Sequence, residues 1–201
     1  MLPKAIEEAI EALAMLPGVG PRTAERYAYY LFKSIPKITA AVSDTLKNLH
    51  DNVKMCPVTF ALIDASEEIS PLYDAPERDK TTILVVEEPF DIYAIEQTKK
   101  YKGTYHVLGG AVSPIDGVTL DKLHIGELIK RVNKDNVKEV IIATNPSVEG
   151  ESTALFLEKM LHEQNPNLSL TRLARGLPLG IDLSYADQIT LSAALENRTN
   201  L

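Results

Sequence analysis

From Thr81 onwards the sequence alternates short apolar segments with longer amphipathic ones. The apolar segments have the length and the β-branched residues of buried strands, and each amphipathic segment has the length of a helix. Strands separated by helices predict a mostly parallel sheet that is flanked by helices on both faces. The predicted strands are TTILVVE, TYHVLGG, VKEVIIATN and LSLTRLA, and the predicted helices are PFDIYAIEQTKKY, LDKLHIGELIKRVN, VEGESTALFLEKMLHEQ and YADQITLSAALEN.

The residues before this sheet divide into two parts. Residues 1–53 are predicted to be helical, because apolar residues such as Ile6, Ile10 and Leu13 recur at helical spacing. Residues 54–79 contain three prolines and no sustained period, which is typical of a small loop-rich module. The chain is therefore predicted to be a multidomain α/β protein, with domains at 1–53, 54–79 and 80–173 and a C-terminal segment at 174–201 that holds the last helix.

The composition excludes several classes of protein. The single cysteine cannot form a disulfide within the chain, and the 45% of hydrophobic residues argues against a disordered chain. No apolar run is long enough to span a membrane. Acidic residues stand near the N-terminus where a signal peptide would have its apolar core, so a cytoplasmic location is expected.

Two glycines flank one apolar residue between the first two predicted helices. Gly18 and Gly20 can take a positive φ and allow another backbone to approach closely. Pro21 suits the first turn of the second helix, whose free N–H groups favour phosphate. Arg22 and Arg26 lie one turn apart in that helix. This pattern resembles a helix-hairpin-helix motif, which binds the DNA backbone, but a tight turn with solvated arginines explains it equally well.

The net charge of -7 does not argue against DNA binding, because it is unevenly distributed. Residues 1–57 hold seven basic and six acidic residues, whereas residues 58–201 hold 14 basic and 22 acidic residues. Phosphate contacts supply most of the nonspecific affinity for DNA. The basic residues that could make them are Arg22, Arg26, Lys33, Lys37, Lys47 and Lys54.

Polar residues follow two predicted strands at the edge of the sheet where α/β proteins build their sites. Glu87 ends the first strand, and Asn145 and Ser147 follow another. A strand-end glutamate, a second strand with an acidic D-x-D and an EGE helix start resemble the Toprim domain, whose acids hold Mg²⁺. Asn145 and Ser147 replace both aspartates and are neutral, so we predict no catalysis and a local pairing role for Glu87. A Mg²⁺-dependent Toprim nuclease or primase is the alternative.

The same helix start carries two further acids. Glu149 and Glu151 lie in its first turn, where acidic side chains interact favourably with the helix dipole. They are also suited to receive a basic partner protein. Both interpretations stay open from the sequence.

The order of these parts, together with VVEEPFDIYAIEQT, YHVLGGAVSPIDGV, NPSVEGE and RLARGLPLG, resembles the RecR family of bacterial recombination mediators. The resemblance implies a non-enzymatic DNA-repair protein whose dimers pair into a ring-like homotetramer, with residues 174–201 in oligomer contacts. It implies single-stranded, double-stranded and gapped DNA as ligands and RecO as a partner. RecF is a further possible partner, and RecA and single-strand-binding protein are indirect ones. The expected location is the cytoplasm, at the nucleoid during repair. The resemblance implies Arg22 and Arg26 in DNA binding, and with Gly18, Gly20 and Lys33 from the hairpin pattern they form the predicted DNA-binding set. The residues that it implies in RecO binding are Glu149 and Glu151.

The chain departs from this family at a four-cysteine zinc site. Its four positions fall on Cys56, Thr59, Ser70 and Tyr73, and only the first is a cysteine. One thiol and three hydroxyls lack the charge and softness of a structural zinc site. We therefore predict a degenerate, metal-free module, with no cofactor and with Phe60 and Tyr73 filling the volume of the metal site. The candidate apolar replacements are Val58, Phe60, Leu62, Ile63, Ile69, Leu72 and Tyr73.

Overall fold

The computed structural model describes residues 2–198, which form two compact units divided between Lys54 and Met55. In the first unit α1 packs against α2, and Ala24 and Ala28 are the only buried residues among residues 2–54. Its helices are α1 (Lys4–Ala14), α2 (Pro21–Lys33), α3 (Pro36–Lys47) and α4 (Leu49–Asn52). None of the helices in residues 2–198 is long and apolar enough to cross a membrane.

The second unit holds the strands and the remaining helices. Its small module contains the short strand β2 (Leu62–Asp64), which pairs with β1 (Val53–Met55) at the boundary between the units, and one helical turn, α5 (Pro71–Asp74). The elements from the boundary onwards are β1 (Val53–Met55), β2 (Leu62–Asp64), α5 (Pro71–Asp74), β3 (Asp79–Val86), α6 (Pro89–Glu96), β4 (Gly103–Val107), α7 (Ile125–Lys134), β5 (Glu139–Ile142), α8 (Val148–Gln164), β6 (Ser169–Arg172) and α9 (Gln188–Glu196).

The four strands from β3 onwards form one parallel sheet in the order β4-β3-β5-β6. The predicted mostly parallel sheet is therefore confirmed. The chain passes from β4 across β3 to β5, and the central β3 pairs with both neighbours. The carboxyl ends of β3 and β5 consequently lie side by side at a change of direction in the strand order, the place where α/β sheets open a crevice.

Each face of the sheet has its own apolar core. One face packs against α7 and α8, with Leu128 and Leu157 fully buried beneath Val85 and Val140. The opposite face packs against α6 through Ile92 and against the small module, whose residues Phe60, Ala61 and Leu72 join the same core. The loop-rich module is thus an integral part of the second unit.

Several predicted elements differ in extent from the observed ones. The helix predicted from Pro89 ends at Glu96, because Lys99 takes a left-handed backbone with φ 56°. The helix predicted from Leu120 begins as α7 at Ile125, since the His124 N–H donates to the Leu108 carbonyl of the sheet and holds the preceding residues out of the helix. The first residues of that segment form a 3₁₀ turn at Leu120–Lys122 instead.

Candidate nucleic-acid interface and partner site

The turn between α1 and α2 uses its two glycines differently. Gly18 takes φ 79°, in the left-handed region that favours glycine. Gly20 takes φ -77° and is the N-cap of α2, so a positive φ is not what requires glycine there. A Cβ placed on either glycine would meet no atom within 4 Å. The turn therefore leaves open space where another molecule can approach.

The predicted DNA-binding cations lie on the outward side of α2. Its residues are 100° apart, so Arg22, Arg26 and Lys33 share the face opposite the buried Ala24 and Ala28. All three cations are exposed, and no carboxylate of residues 2–198 forms a salt bridge with them. The other predicted phosphate contacts, Lys37, Lys47 and Lys54, are exposed as well.

Tyrosines that the sequence analysis did not single out stand among these cations. Lys33 Nζ lies 4.8 Å from the ring centre of Tyr29, and the Arg26 guanidinium lies 5.5 Å from that of Tyr27. The side chains of Tyr29 and Tyr30 are more than half exposed. The sequence spacing could have predicted this arrangement, since Tyr29 and Tyr30 lie one helical turn after Arg26 and one turn before Lys33.

At the carboxyl edge of the sheet, Glu87 and Asn145 form a hydrogen-bonded pair where a Toprim enzyme would have a cluster of acids. Glu87 is 7% exposed, and its Oε1 accepts the backbone N–H of Asn145 at 2.8 Å. Its Oε2 accepts the Asn145 side-chain amide at 2.6 Å. Both oxygens of the carboxylate are thus engaged by Asn145, as expected if Glu87 pairs locally.

Ser147 has a structural role beside this pair. Its hydroxyl accepts the N–H of Gly150 at 3.0 Å and caps α8. A Cβ on Gly150 would collide with the backbone carbonyl oxygen of Asn145 and would lie 2.7 Å from Glu87 Oε1, so only glycine allows α8 to begin this close to the end of β5. Asn145, Ser147 and Gly150 together use this edge for hydrogen bonding and packing.

The two acids proposed for a partner protein differ in their surroundings. Glu149 is exposed in the first turn of α8. Glu151 instead forms salt bridges with Arg172, at 3.1 Å, and with Arg175. Hydrogen bonds from Arg175 and then Arg172 hold the pKa of Glu151 below its usual range. These two arginines therefore already neutralise Glu151, whereas Glu149 forms no salt bridge within residues 2–198.

The four positions of the predicted lost zinc site are all buried, and the backbone around Cys56 still cradles its sulfur. Cys56 Sγ accepts the backbone N–H groups of Val58, Thr59 and Ser70 at 3.4–3.5 Å. Burial would raise the pKa of the Cys56 thiol, but hydrogen bonds from the Thr59 side chain and from these N–H groups hold it below the ordinary value. The Ser70 hydroxyl caps α5 by accepting the Leu72 N–H.

The fourth position is bound to a buried ion pair. The Tyr73 hydroxyl donates to Asp135 Oδ1 at 3.0 Å, and its ring lies over the Arg131 guanidinium at 4.9 Å. Arg131 and Asp135 form a salt bridge at 3.2 Å, with side chains only 5% and 6% exposed. Arg131 also donates to the Tyr105 carbonyl and to the Thr104 hydroxyl. In the sequence Arg131 and Asp135 look like an ordinary surface pair four residues apart on a helix, so this role was missed.

These donors do not fit the zinc site that the resemblance implies. A zinc ion takes thiolates, imidazoles or carboxylates as ligands, and the site offers one thiol with hydroxyls at the other positions. Ser70 and Tyr73 direct their hydroxyls to hydrogen bonds within the protein. Phe60, expected to fill the metal's place, stacks on His124 with 3.7 Å between ring centres. Across residues 2–198 no three His, Cys, Asp or Glu side chains are grouped as metal ligands.

Comparison with known proteins matches three family models along the chain. The RecR helix-hairpin-helix model covers residues 6–50, the Toprim domain model covers residues 81–174, and the RecR C-terminal model covers residues 176–199. These models and the parallel sheet confirm the predicted fold class, except that none of them matches the small module as a zinc finger.

Whole-length relatives agree with the family models. Recombination protein RecR of Dehalococcoides mccartyi is 42% identical over 196 residues, which are 98% of this chain and 94% of the relative. Recombination protein RecR of Nocardia farcinica is 45% identical over 200 residues, 98% of each chain. That of Rippkaea orientalis is 45% identical over 192 residues, 96% of this chain and 95% of the relative. The chain belongs to the RecR family of recombination proteins.

Proposed function

We propose that this chain is a non-catalytic mediator of recombinational DNA repair. In this proposal it binds single-stranded, double-stranded or gapped DNA as a homotetrameric ring. With RecO, and with RecF where that protein is present, it loads RecA onto single strands covered by single-strand-binding protein. The observation that carries the proposal is the exposed cationic face of α2 beside an open hairpin turn, in a chain of the RecR family. Because the substrate is chromosomal DNA, the protein acts in the cytoplasm at the nucleoid.

The carboxyl edge of the sheet supports a role without chemistry. A Toprim enzyme needs free carboxylates to balance the charge of Mg²⁺. Here both oxygens of Glu87 are held by Asn145, and Ser147 caps a helix. The residues at this edge therefore favour a scaffold over a nuclease or primase.

The surface of α8 is the proposed contact for RecO. Glu149 remains exposed, whereas Glu151 is held by Arg172 and Arg175. A basic partner that approaches this surface meets the carboxylate of Glu149 first. Engagement of Glu151 requires the partner to displace an arginine or to bind the arginines' other donors.

Assembly with a second copy is supported by the first unit. Its buried residues are two alanines, and large apolar side chains remain at its surface. An open groove of about 480 Å³ lies between α1, α2 and α3 and is lined by Ile6, Leu31 and Phe32 among others. Another apolar surface of this kind covers such a groove well, and a second copy of the chain carries one. The exposed apolar residues include Met15, Leu16, Phe32, Ile35, Leu46 and Leu49.

Replacing the two hairpin arginines tests the DNA-binding proposal. We expect Arg22→Ala with Arg26→Ala to weaken binding to a fluorescent gapped duplex about tenfold or more at moderate salt. The log–log salt slope should fall by about 2, because two phosphate contacts are lost. Anisotropy titrations at several salt concentrations, with and without RecO, measure both quantities.

A matched control removes two exposed cations elsewhere. Lys130→Ala with Lys134→Ala has the same spacing on α7, and it should leave the affinity and the slope unchanged. Unchanged affinity and slope in the arginine variant, both alone and with RecO, would contradict the hairpin as the DNA contact.

A further inference from the structure

We infer that the outward face of α2 is a base-stacking platform for single-stranded DNA, in which Tyr29 and Tyr30 select single strands over duplex. The inference rests on the proposed function, because it assumes that the hairpin binds DNA. It adds to that function the contact with the bases, which phosphate-binding cations alone do not provide.

The placement of the two rings carries the first step. With residues 100° apart, Tyr29 and Tyr30 lie on the two sides of the line formed by Arg22, Arg26 and Lys33. Along about three turns of the helix, this face therefore presents two cations, then the pair of tyrosines, and then a third cation. The only acid nearby on α2, Glu25, lies toward the edge of the face.

The exposure of the rings carries the second step. Tyr29 is 56% and Tyr30 is 62% exposed, although large aromatic side chains favour burial. Neither tyrosine hydroxyl forms a hydrogen bond with another residue in the range 2–198. Both rings are therefore accessible to a ligand, although Lys33 lies over one face of the Tyr29 ring.

The combination of cations and exposed aromatic rings on this face indicates which ligand it binds. Lys33 lies over the Tyr29 ring at 4.8 Å, so one cation serves both as a phosphate contact and as a neighbour to the stacking surface. Grooves that bind single strands combine cations along the backbone with aromatic rings on which bases stack. In a duplex the bases are already stacked and paired, so they cannot lie on these rings.

Alanine and phenylalanine variants separate the ring from the hydroxyl. We expect Tyr29→Ala with Tyr30→Ala to weaken binding to a 20-nucleotide single-stranded oligonucleotide by roughly 5- to 150-fold for each base that loses its ring. Tyr29→Phe with Tyr30→Phe should retain the affinity, because stacking needs the ring alone. Binding to a duplex of equal length, and to an abasic strand of equal length, should not change in either variant.

Two further readouts keep the inference separable from the proposed function. The salt slope of the tyrosine variants should equal that of the unmodified protein, since no phosphate contact is lost. Tyr93→Ala, which removes a 69% exposed tyrosine from α6, is the matched control and should bind all three ligands normally. Circular dichroism should show that every variant keeps the helical content of the unmodified chain.

The possible outcomes distinguish the two proposals. If Arg22→Ala with Arg26→Ala weakens binding to all three ligands, while Tyr29→Ala with Tyr30→Ala weakens binding to none of them, the hairpin binds DNA but the stacking platform is wrong. An equal loss of affinity for the single-stranded, abasic and duplex ligands in the tyrosine variant would also overturn the inference. So would equal affinity of the unmodified protein for the single strand and for the abasic strand.

Discussion

Arg131 is a buried cation, and Asp135 and Tyr73 are the groups that stabilise its charge. Burial lowers the pKa of its guanidinium, whereas the hydrogen bond and charge of Asp135 act in the opposite direction. Tyr73 completes the arrangement, since its hydroxyl donates to Asp135 and its ring covers the guanidinium. Tyr73 belongs to the small module, Arg131 belongs to α7, and Asp135 is the C-cap of α7. A side chain at one of the four positions of the predicted zinc site thereby attaches the module to the C-terminal end of α7.

We expect two substitutions among these side chains to lower the free energy of unfolding by different amounts. Arg131→Leu leaves the buried Asp135 carboxylate without its counter-charge and should lower the free energy of unfolding by about 3–5 kcal/mol. Tyr73→Phe removes one hydrogen bond to a charged group but keeps the ring, and should cost about 1.5–3 kcal/mol. Urea unfolding followed by circular dichroism measures both. Tyr93→Phe is the exposed control, and equal stability of Tyr73→Phe and Tyr93→Phe would argue against the proposed attachment.

At the scale of elements, local pattern predicted the sheet better than it predicted the site. The strands of the parallel sheet are predicted by short runs of apolar residues, and α8 is predicted by an amphipathic segment of helical length. Both signals lie within the segment concerned. The bond between Glu87 and Asn145, and the salt bridge between Glu151 and Arg172, join residues that are far apart in the chain. Sequence could show that Asn145 and Ser147 are neutral. It could not show that Asn145 binds Glu87, because that contact depends on strand order.

The small module is held by its contacts with the sheet. The Thr59 carbonyl accepts the N–H of Val107 from the edge strand β4 at 2.8 Å, and Ala61 lies in the core of that face. Phe60 takes φ 58° and stacks on His124, so the surrounding structure holds a backbone conformation that is unfavourable for phenylalanine. These contacts serve the purpose that metal ligation serves in a zinc module.

We therefore expect chelators to leave the module intact. Overnight dialysis against EDTA should leave the Tm and the urea midpoint unchanged, because a metal-free module has no ligand that the chelator can remove. Elemental analysis should find less than about 0.1 zinc per chain. Cys56→Ala, which removes the acceptor of three backbone N–H groups, should lower the free energy of unfolding by about 1–3 kcal/mol with or without EDTA. One zinc per chain, or a lower Tm after dialysis, would show that the module is a metal site after all.

At the scale of the whole molecule, apolar surface is concentrated in two separate segments. The first is the helical unit that ends at Lys54, where two alanines are the only buried residues between positions 2 and 54. The second runs from Leu173 to Glu196, in which no residue is buried, and it exposes Leu179, Ile181, Tyr185 and Ile189. Surfaces of this kind mark protein–protein contacts. Two different self-complementary contacts on one chain generate a closed tetramer, and one such contact generates a dimer.

Loss of one contact should therefore halve the assembly and leave the other contact in place. We expect native mass spectrometry of the unmodified protein to show four chains of 22.1 kDa each. Leu46→Glu with Leu49→Glu places two charges on the apolar face of the first unit, where burial against another copy is prohibitively costly. This variant should appear as two chains. Ile115→Glu, at a residue that is 95% exposed outside both segments, should remain at four. A single chain for the unmodified protein at micromolar concentration, or four chains for the double variant, would contradict the assignment of this face to assembly.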